Sequence, residues 1–137
     1  MGKKTNKIGG ILAVVFLIGW LLVSLLRIHQ FRKDYKFADG QVIEVTITGW
    51  KSSGDYSVKY KYKVNNKMYF NDQNYNYCGY LNMTAVRLLL KGKSFAVAYS
   101  VSDPRMSTML ITFKNAGRFH YIFSDSLKIY DSILTCK

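Results

Sequence analysis

The sequence is poor in the residues from which most catalytic and metal sites are built. Its 137 residues hold two histidines, two cysteines, eight acidic residues and a single proline. The acidic residues are scattered singly, and neither a Gly-rich phosphate loop nor a CxxC pair occurs. An active site needs a nucleophile with a base, a carboxylate pair, a metal cluster or a phosphate cradle. We therefore expect no enzyme activity and no catalytic, metal or cofactor site.

The few reactive side chains have no evident partners in the sequence. His29 and His120 are far apart, and no histidine is near Cys78. A hydrolase that uses Cys78 or His120 is the catalytic alternative, and these positions argue against it. Cys78 and Cys136 allow one disulfide if the domain is exported, or two thiols in a reducing compartment.

Charge is absent from the stretch Ile8–Leu26, which reads IGGILAVVFLIGWLLVSLL. A helix of this length covers about 28 Å, close to the roughly 30 Å hydrocarbon core of a bilayer. A cleaved secretory signal shares the basic start, but Val23–Arg27 contains no Ala-x-Ala-like cleavage site. We predict a basic tail over residues 1–7 and a permanent transmembrane helix over 8–28.

Basic residues exceed acidic ones by twenty to eight, which gives a formal net charge of +12. Such a balance favours anionic surfaces, and for an anchored protein lipid ranks above nucleic acid. Lysines and arginines flank the apolar stretch evenly, so charge leaves the orientation open. We predict a single-pass membrane protein with its C-terminal domain outside the cytoplasm, the usual fate of one uncleaved N-terminal anchor.

After a juxtamembrane linker over 29–39, the hydrophobic period changes to two. The alternation predicts about five strands over 40–114, in a partly open barrel or sandwich, with a short helix within Leu81–Leu90. Asn65 and Asn66 predict a hairpin turn, with a loop of either two or three residues. Residues 115–137 have apolar side chains at helical spacing and predict a helical tail packed on the β-domain, with a continued strand through Tyr121, Phe123 and Ile129 as the alternative.

Two sets of side chains are candidates for binding. Lys59, Lys61 and Lys63 share one strand face, either as a stripe for lipid head groups or an acidic partner, or as an ordinary solvated face. The segment Asn71–Tyr80 has no apolar period and predicts a loop. Tyrosine is enriched in protein interfaces. We therefore take as candidate partner contacts Tyr75, Tyr77, Tyr80 and Trp50.

The order of several short motifs resembles that of a widespread bacterial family. They are Gly40-Gln41-Val42, the hairpin Tyr60–Lys67 followed by Tyr69, and Val97-Ala98-Tyr99 followed by Asp103-Pro104. The family consists of small membrane-anchored β-domain proteins of unassigned function. The resemblance implies a compact, partly open barrel or sandwich beside a membrane, and it implies no catalytic residues. It also implies a bacterial protein, which we place in the inner membrane.

These observations together predict a non-enzymatic, membrane-anchored interaction module that binds a protein partner at the membrane surface. One form of this prediction is an envelope immunity or accessory protein that neutralises a toxin. An anionic-lipid-sensing module is the second alternative, because the domain is basic and tethered to a bilayer.

Overall fold

The computed structural model describes residues 5–48, 55–76 and 82–135. It shows an apolar N-terminal helix followed by a five-stranded antiparallel, nearly closed barrel-like sheet and further short helices, which confirms the predicted fold class. The elements in chain order are α1 (Thr5–Lys33), β1 (Tyr35–Thr48), β2 (Asp55–Val64), β3 (Lys67–Asn76), α2 (Met83–Leu90), β4 (Ser94–Ser100), β5 (Ser107–Met109), α3 (Phe113–Arg118) and α4 (Lys128–Leu134).

Helix α1 has 29 residues and is about 43 Å long at 1.5 Å per residue. Its segment Gly9–Lys33 is long and apolar enough to cross a membrane, with a mean hydropathy of 2.6. Every side chain from Gly9 to Gln30 is exposed. The barrel therefore does not bury this apolar surface.

The sheet has the strand order β3-β2-β1-β4-β5, and all its neighbours are antiparallel. Strict alternation along β2 turns one set of side chains into the core, namely Tyr56, Val58, Tyr60, Tyr62 and Val64. A bulge at Ile43 shifts the register of β1 against β2. Such bulges bend a strand and increase its twist, which helps the sheet to curl.

The β2–β3 hairpin has the shorter of the two predicted loops. Val64 pairs with Lys67 and Tyr62 pairs with Tyr69. Asn65 and Asn66 take φ values of 48° and 64°, the left-handed conformation that a two-residue turn requires and that asparagine tolerates. Strand β3 then continues to Asn76, so the prediction of a loop from Asn71 is wrong as far as Asn76. The side chains of β3 find partners on β2 and across the barrel.

The gap between the edge strands β3 and β5 is bridged by side chains. The Asn71 amide donates to Ser107 Oγ (2.9 Å), Gln73 Oε1 accepts from the Met109 backbone N–H (2.9 Å), and the Tyr75 hydroxyl donates to the Met109 carbonyl (3.3 Å). These contacts take the place of a backbone ladder and nearly close the barrel. Since an open strand edge invites pairing with other chains, the bridge also protects β5.

The end of α1 packs directly on the barrel. Phe31 is buried against Phe119, with ring centroids 5.1 Å apart, and the Tyr35 hydroxyl donates to the Phe119 carbonyl. Beneath them lie Ala98 and Leu110, which are fully buried. The structure corrects the predicted linker over 29–39, since helix α1 extends to Lys33 and β1 begins at Tyr35. Within this segment, Phe31 and Tyr35 pack against Phe119 of the C-terminal tail.

The tail is helical in two pieces. Phe113 is exposed at the start of α3, and His120 follows the end of α3 with a φ of 51°. Helix α4 packs Tyr130 edge-on against Phe95 of the core, with ring centroids 5.0 Å apart. The Asp131 carboxylate accepts from the Phe113 backbone N–H (2.8 Å), which joins the two helices. The hydrophobic spacing indicated helix but gave no sign of this break.

Candidate functional site

The outer face of the β2–β3 hairpin combines apolar and basic side chains, and we call it the hairpin patch. It consists of Lys61, Lys63, Met68 and Phe70. Lys61 is paired across the strands with Phe70, and Lys63 with Met68. Phe70 is 65% exposed and Met68 is 46% exposed. Aromatic side chains and methionine are enriched in protein interfaces, so this is the kind of surface on which a partner docks.

Turn chemistry places the two apolar side chains of the patch outside. With a two-residue loop at Asn65-Asn66, Tyr69 points toward the core and Met68 and Phe70 point away from it. A three-residue loop would have reversed this assignment, because a shift of one residue moves a strand's side chains to the opposite face. Lys61 and Lys63 point outward for the same kind of reason, because they alternate along β2 with Tyr60 and Tyr62, whose side chains are buried in the core.

Lys59 continues the basic row, but it has an acidic partner in the protein itself. Its Nζ lies 3.0 Å from Glu44 Oε2 on β1, and both side chains are half exposed. Asp72 lies opposite Lys59 on the other neighbouring strand. All three predicted lysines share the outer face. Lys61 and Lys63 carry the basic charge nearest the exposed apolar side chains.

Of the predicted aromatic contacts, only Tyr75 lies among the described residues. Tyr75 is a core residue, 6% exposed, and burial raises the pKa of its hydroxyl far above the ordinary value. Its prediction as an exposed loop contact is therefore wrong. Four other predictions lie outside the described residues: the contacts Tyr77, Tyr80 and Trp50, and the pairing of Cys78 with Cys136.

The two histidines lie in separate elements. His29 is exposed in α1, and His120 is exposed just after α3. Across residues 5–48, 55–76 and 82–135, no group of three or more His, Cys, Asp and Glu side chains is placed to hold a metal ion.

A second surface feature lies where the barrel meets α1, and we call it the helix-end cleft. It has a volume of about 330 Å³. Its lining comes from one turn of α1 and from the turn between β4 and β5, namely Arg27, Gln30, Ser102, Asp103, Arg105 and Met106. The turn is fixed to the barrel from the other side, because the Tyr62 hydroxyl donates to the Pro104 carbonyl.

Within the helix-end cleft, Asp103 is held by Arg105. The Arg105 Nε lies 2.9 Å from Asp103 Oδ1, and Nη2 lies 3.2 Å from Oδ2. The side-chain hydrogen bonds from Arg105 hold the pKa of the Asp103 carboxyl below its ordinary value, with a smaller contribution from the charge of Arg27. One carboxylate thus faces two guanidinium groups, and the cleft has a surplus of one positive charge.

Sequence reasoning missed Met68, Phe70 and the lining of the helix-end cleft. The paired asparagines gave a signal for the first two, because both tolerate positive φ and so favour the shorter loop. The cleft had no comparable signal. Arg27 and Arg105 are 78 positions apart in the sequence and meet only because the β4–β5 turn lies along α1.

No protein-family model, no curated protein and no solved structure matches this chain. The resemblance to small membrane-anchored β-domain proteins stays a prediction.

Proposed function

We propose that this chain is a single-pass membrane protein whose β-barrel-like domain acts as a non-enzymatic interaction module. Helix α1 is the anchor, and the hairpin patch binds an acidic protein partner at the membrane surface. The observation that carries the proposal is the exposure of Phe70 and Met68 directly opposite Lys61 and Lys63, on a sheet whose inner face is packed.

The attachment of the domain to α1 supports this role. Since α1 leads into β1 with Phe31 buried on the barrel, the domain has a fixed orientation relative to the helix. A domain with a fixed orientation loses less conformational entropy when a partner docks than a domain on a flexible linker does. In this proposal the anchor therefore confines the module and also orients it.

Charge complementarity points to the chemistry of the partner. Lys61 and Lys63 lie beside the apolar side chains of the patch without an ion pair to an acidic side chain among the described residues. An interface typically has an apolar centre with a polar rim, and opposite charges across it speed association and fix register. A partner with an apolar contact ringed by Asp and Glu fits this surface.

A photo-crosslinking amino acid at Phe70 in the full chain, irradiated in native membranes, tests the partner. We expect one crosslinked protein in stoichiometric yield, and its loss when Lys61→Glu and Lys63→Glu reverse the charge of the rim. Phe113, which is 67% exposed on α3, is the matched control position and should give no such product. Crosslinks to lipid alone, or the same products from both positions, would contradict the proposal.

We further propose that the domain lies outside the cytoplasm of a bacterial inner membrane. A membrane-impermeant maleimide, applied to intact cells after mild reduction, should label the thiols of Cys78 and Cys136. A variant with both cysteines changed to serine is the control for background labelling. Labelling that requires lysis of the cells would place the domain inside and refute this orientation.

A further inference from the structure

The position of the helix-end cleft along α1 decides which molecules surround it. The uncharged stretch of α1 ends at Leu26, and Arg27 follows at once. Tyr35 begins β1 eight residues later, about 12 Å farther along a helix axis. Strand β4 ends at Ser100, which pairs with Tyr35. The turn that follows runs back along α1 as far as Arg27, because Ser102 and Arg105 line the cleft together with Arg27. If α1 crosses a bilayer, the cleft lies in the head-group layer, which is several ångströms deep on each side.

The polar groups of the cleft suit a phosphodiester. Arg27 and Arg105 offer guanidinium groups, whose planar fork matches phosphate oxygens, while Gln30 and Ser102 add an amide and a hydroxyl. Asp103 keeps Arg105 in place and cancels one of the two positive charges. The surplus of one positive charge equals the single negative charge of a phosphodiester.

An apolar groove on the same face of α1 distinguishes a lipid from a free anion. The groove has a volume of about 480 Å³ and is centred on Gly19, which has no side chain to fill the space; its lining residues are Val15, Phe16, Gly19, Trp20 and Val23. Spacings of three and four residues lead from Phe16 through Trp20 and Val23 to Arg27 and Gln30. Residues at this spacing lie on one helix face. The groove therefore lies on the helix face that also lines the cleft, and it begins about one helical turn from the cleft, at Val23.

We propose that the helix-end cleft and the Gly19 groove together form a binding site for one phospholipid, with the phosphodiester between Arg27 and Arg105 and an acyl chain along the groove. This inference rests on the proposed membrane anchoring, and it is independent of the hairpin patch. The bound lipid would contact both α1 and the β4–β5 turn, and so help to hold the barrel in one orientation relative to α1.

Native mass spectrometry of the full chain in detergent, with added phosphatidylglycerol or phosphatidylethanolamine, tests the site. We expect one tightly retained phospholipid per chain. Arg27→Gln together with Arg105→Gln should weaken retention at least about tenfold, since two charge-assisted hydrogen-bonding groups are removed. Arg118→Gln is the matched control, because Arg118 is at the end of α3 and lines a different pocket, together with Asn74 and Asn76 of β3. It should retain the lipid as the unmodified chain does.

Further lipids and one further variant test the phosphodiester site and the acyl-chain groove separately. Diacylglycerol, which lacks the phosphodiester, should not be retained, and millimolar inorganic phosphate should not displace phosphatidylglycerol. Gly19→Leu, which fills the groove, should weaken retention while leaving both arginines in place. Equal retention of diacylglycerol, equal loss in Arg118→Gln, or displacement by inorganic phosphate would overturn the proposal.

Alkaline carbonate extraction of membranes separates a failure of this site from a failure of the anchor. If the full chain stays in the membrane pellet but retains lipid indiscriminately, the lipid site is wrong and the anchor stands. If the full chain washes out with carbonate, the proposed anchoring itself fails, and the lipid site fails with it.

Discussion

The two outer faces of the sheet differ in what covers them. On the β1–β4 side, the small residues Ala96, Ala98 and Ser100 let the end of α1 and the C-terminal tail approach closely, and Phe119 packs above them. On the β2–β3 side, long lysine side chains alternate along the strand, and Phe70 stays exposed. Side-chain size thus divides the outer surface into a covered face that holds the barrel to its helix and a bare face that is free for a partner.

Truncating one phenylalanine on each face gives the sharpest test of this difference. Phe119→Ala should destabilise the domain by about 3–5 kcal/mol, because it leaves a cavity between Phe31, Ala98 and Leu110. Phe70→Ala should change stability by less than about 0.5 kcal/mol, since its ring is mostly in solvent. Thermal unfolding of both full-length variants in the same detergent, followed by circular dichroism, measures the difference. Similar losses from both variants would mean that the two faces do not differ as described.

Gly40 tests how closely β1 and β4 approach beneath the covered face. A Cβ atom at this position would lie 2.3 Å from Val97 Cγ2, so Gly40→Ala must push a fully buried side chain aside. We expect a loss of about 1–3 kcal/mol, typical of overpacking. Adding Val97→Ala should recover part of that loss relative to Val97→Ala alone, which a double-mutant cycle measures. Additive losses would show that the two side chains do not compete for the same space.

The sequence predicted the bare face better than the covered one. Strict alternation along β2 identifies its core tyrosines and outer lysines, because the tyrosines share a face with Val58 and Val64 while lysine strongly prefers solvent. On β4, alanine and serine alternate with the core side chains, and alternation places them on the outer face, so nothing in the pattern shows that Ala98 is buried. Its cover comes from Phe31 and Phe119, which lie far from it in sequence and on elements that are not strands.

The candidate sites divide in the same way. The lysines of the hairpin patch follow from alternation, while Met68 and Phe70 depended on the loop length at Asn65-Asn66. The polar segment after Asn71 gave no strand signal, because Asn71 and Gln73 hydrogen-bond across the barrel to β5, to the Ser107 hydroxyl and to the Met109 backbone N–H, instead of packing in a core. A polar strand whose partners come from tertiary contacts cannot be told from a loop by its period.

Raising the pH tests how well the inner side of the bare face is sealed. Burial raises the pKa of Tyr60 and Tyr75 well above 10, the ordinary value for tyrosine. The unfolded chain then loses these protons at a lower pH than the folded one, so stability should fall as the pH rises above 10. The expected slope is about 1 kcal/mol per pH unit for each tyrosine.

Chemical unfolding at several pH values, with tyrosinate absorbance as a second readout, measures this slope. Tyr75→Phe should make the slope shallower, since one buried hydroxyl no longer titrates. Tyrosinate absorbance that reaches its full value in the folded state near pH 10 would show that water enters the barrel beneath the hairpin.

The ion pair at the edge of the bare face should give the smallest effect. Lys59 and Glu44 are 3.0 Å apart but half exposed, and exposed pairs typically contribute less than about 1 kcal/mol. A double-mutant cycle with Lys59→Gln and Glu44→Gln should therefore give a coupling below about 1 kcal/mol that decreases further with added salt. The same two changes should leave crosslinking at Phe70 intact, because Lys61 and Lys63 flank the apolar side chains and Lys59 does not. A large, salt-insensitive coupling would show that this part of the face is covered as well, and that the bare surface is narrower than the three lysines suggest.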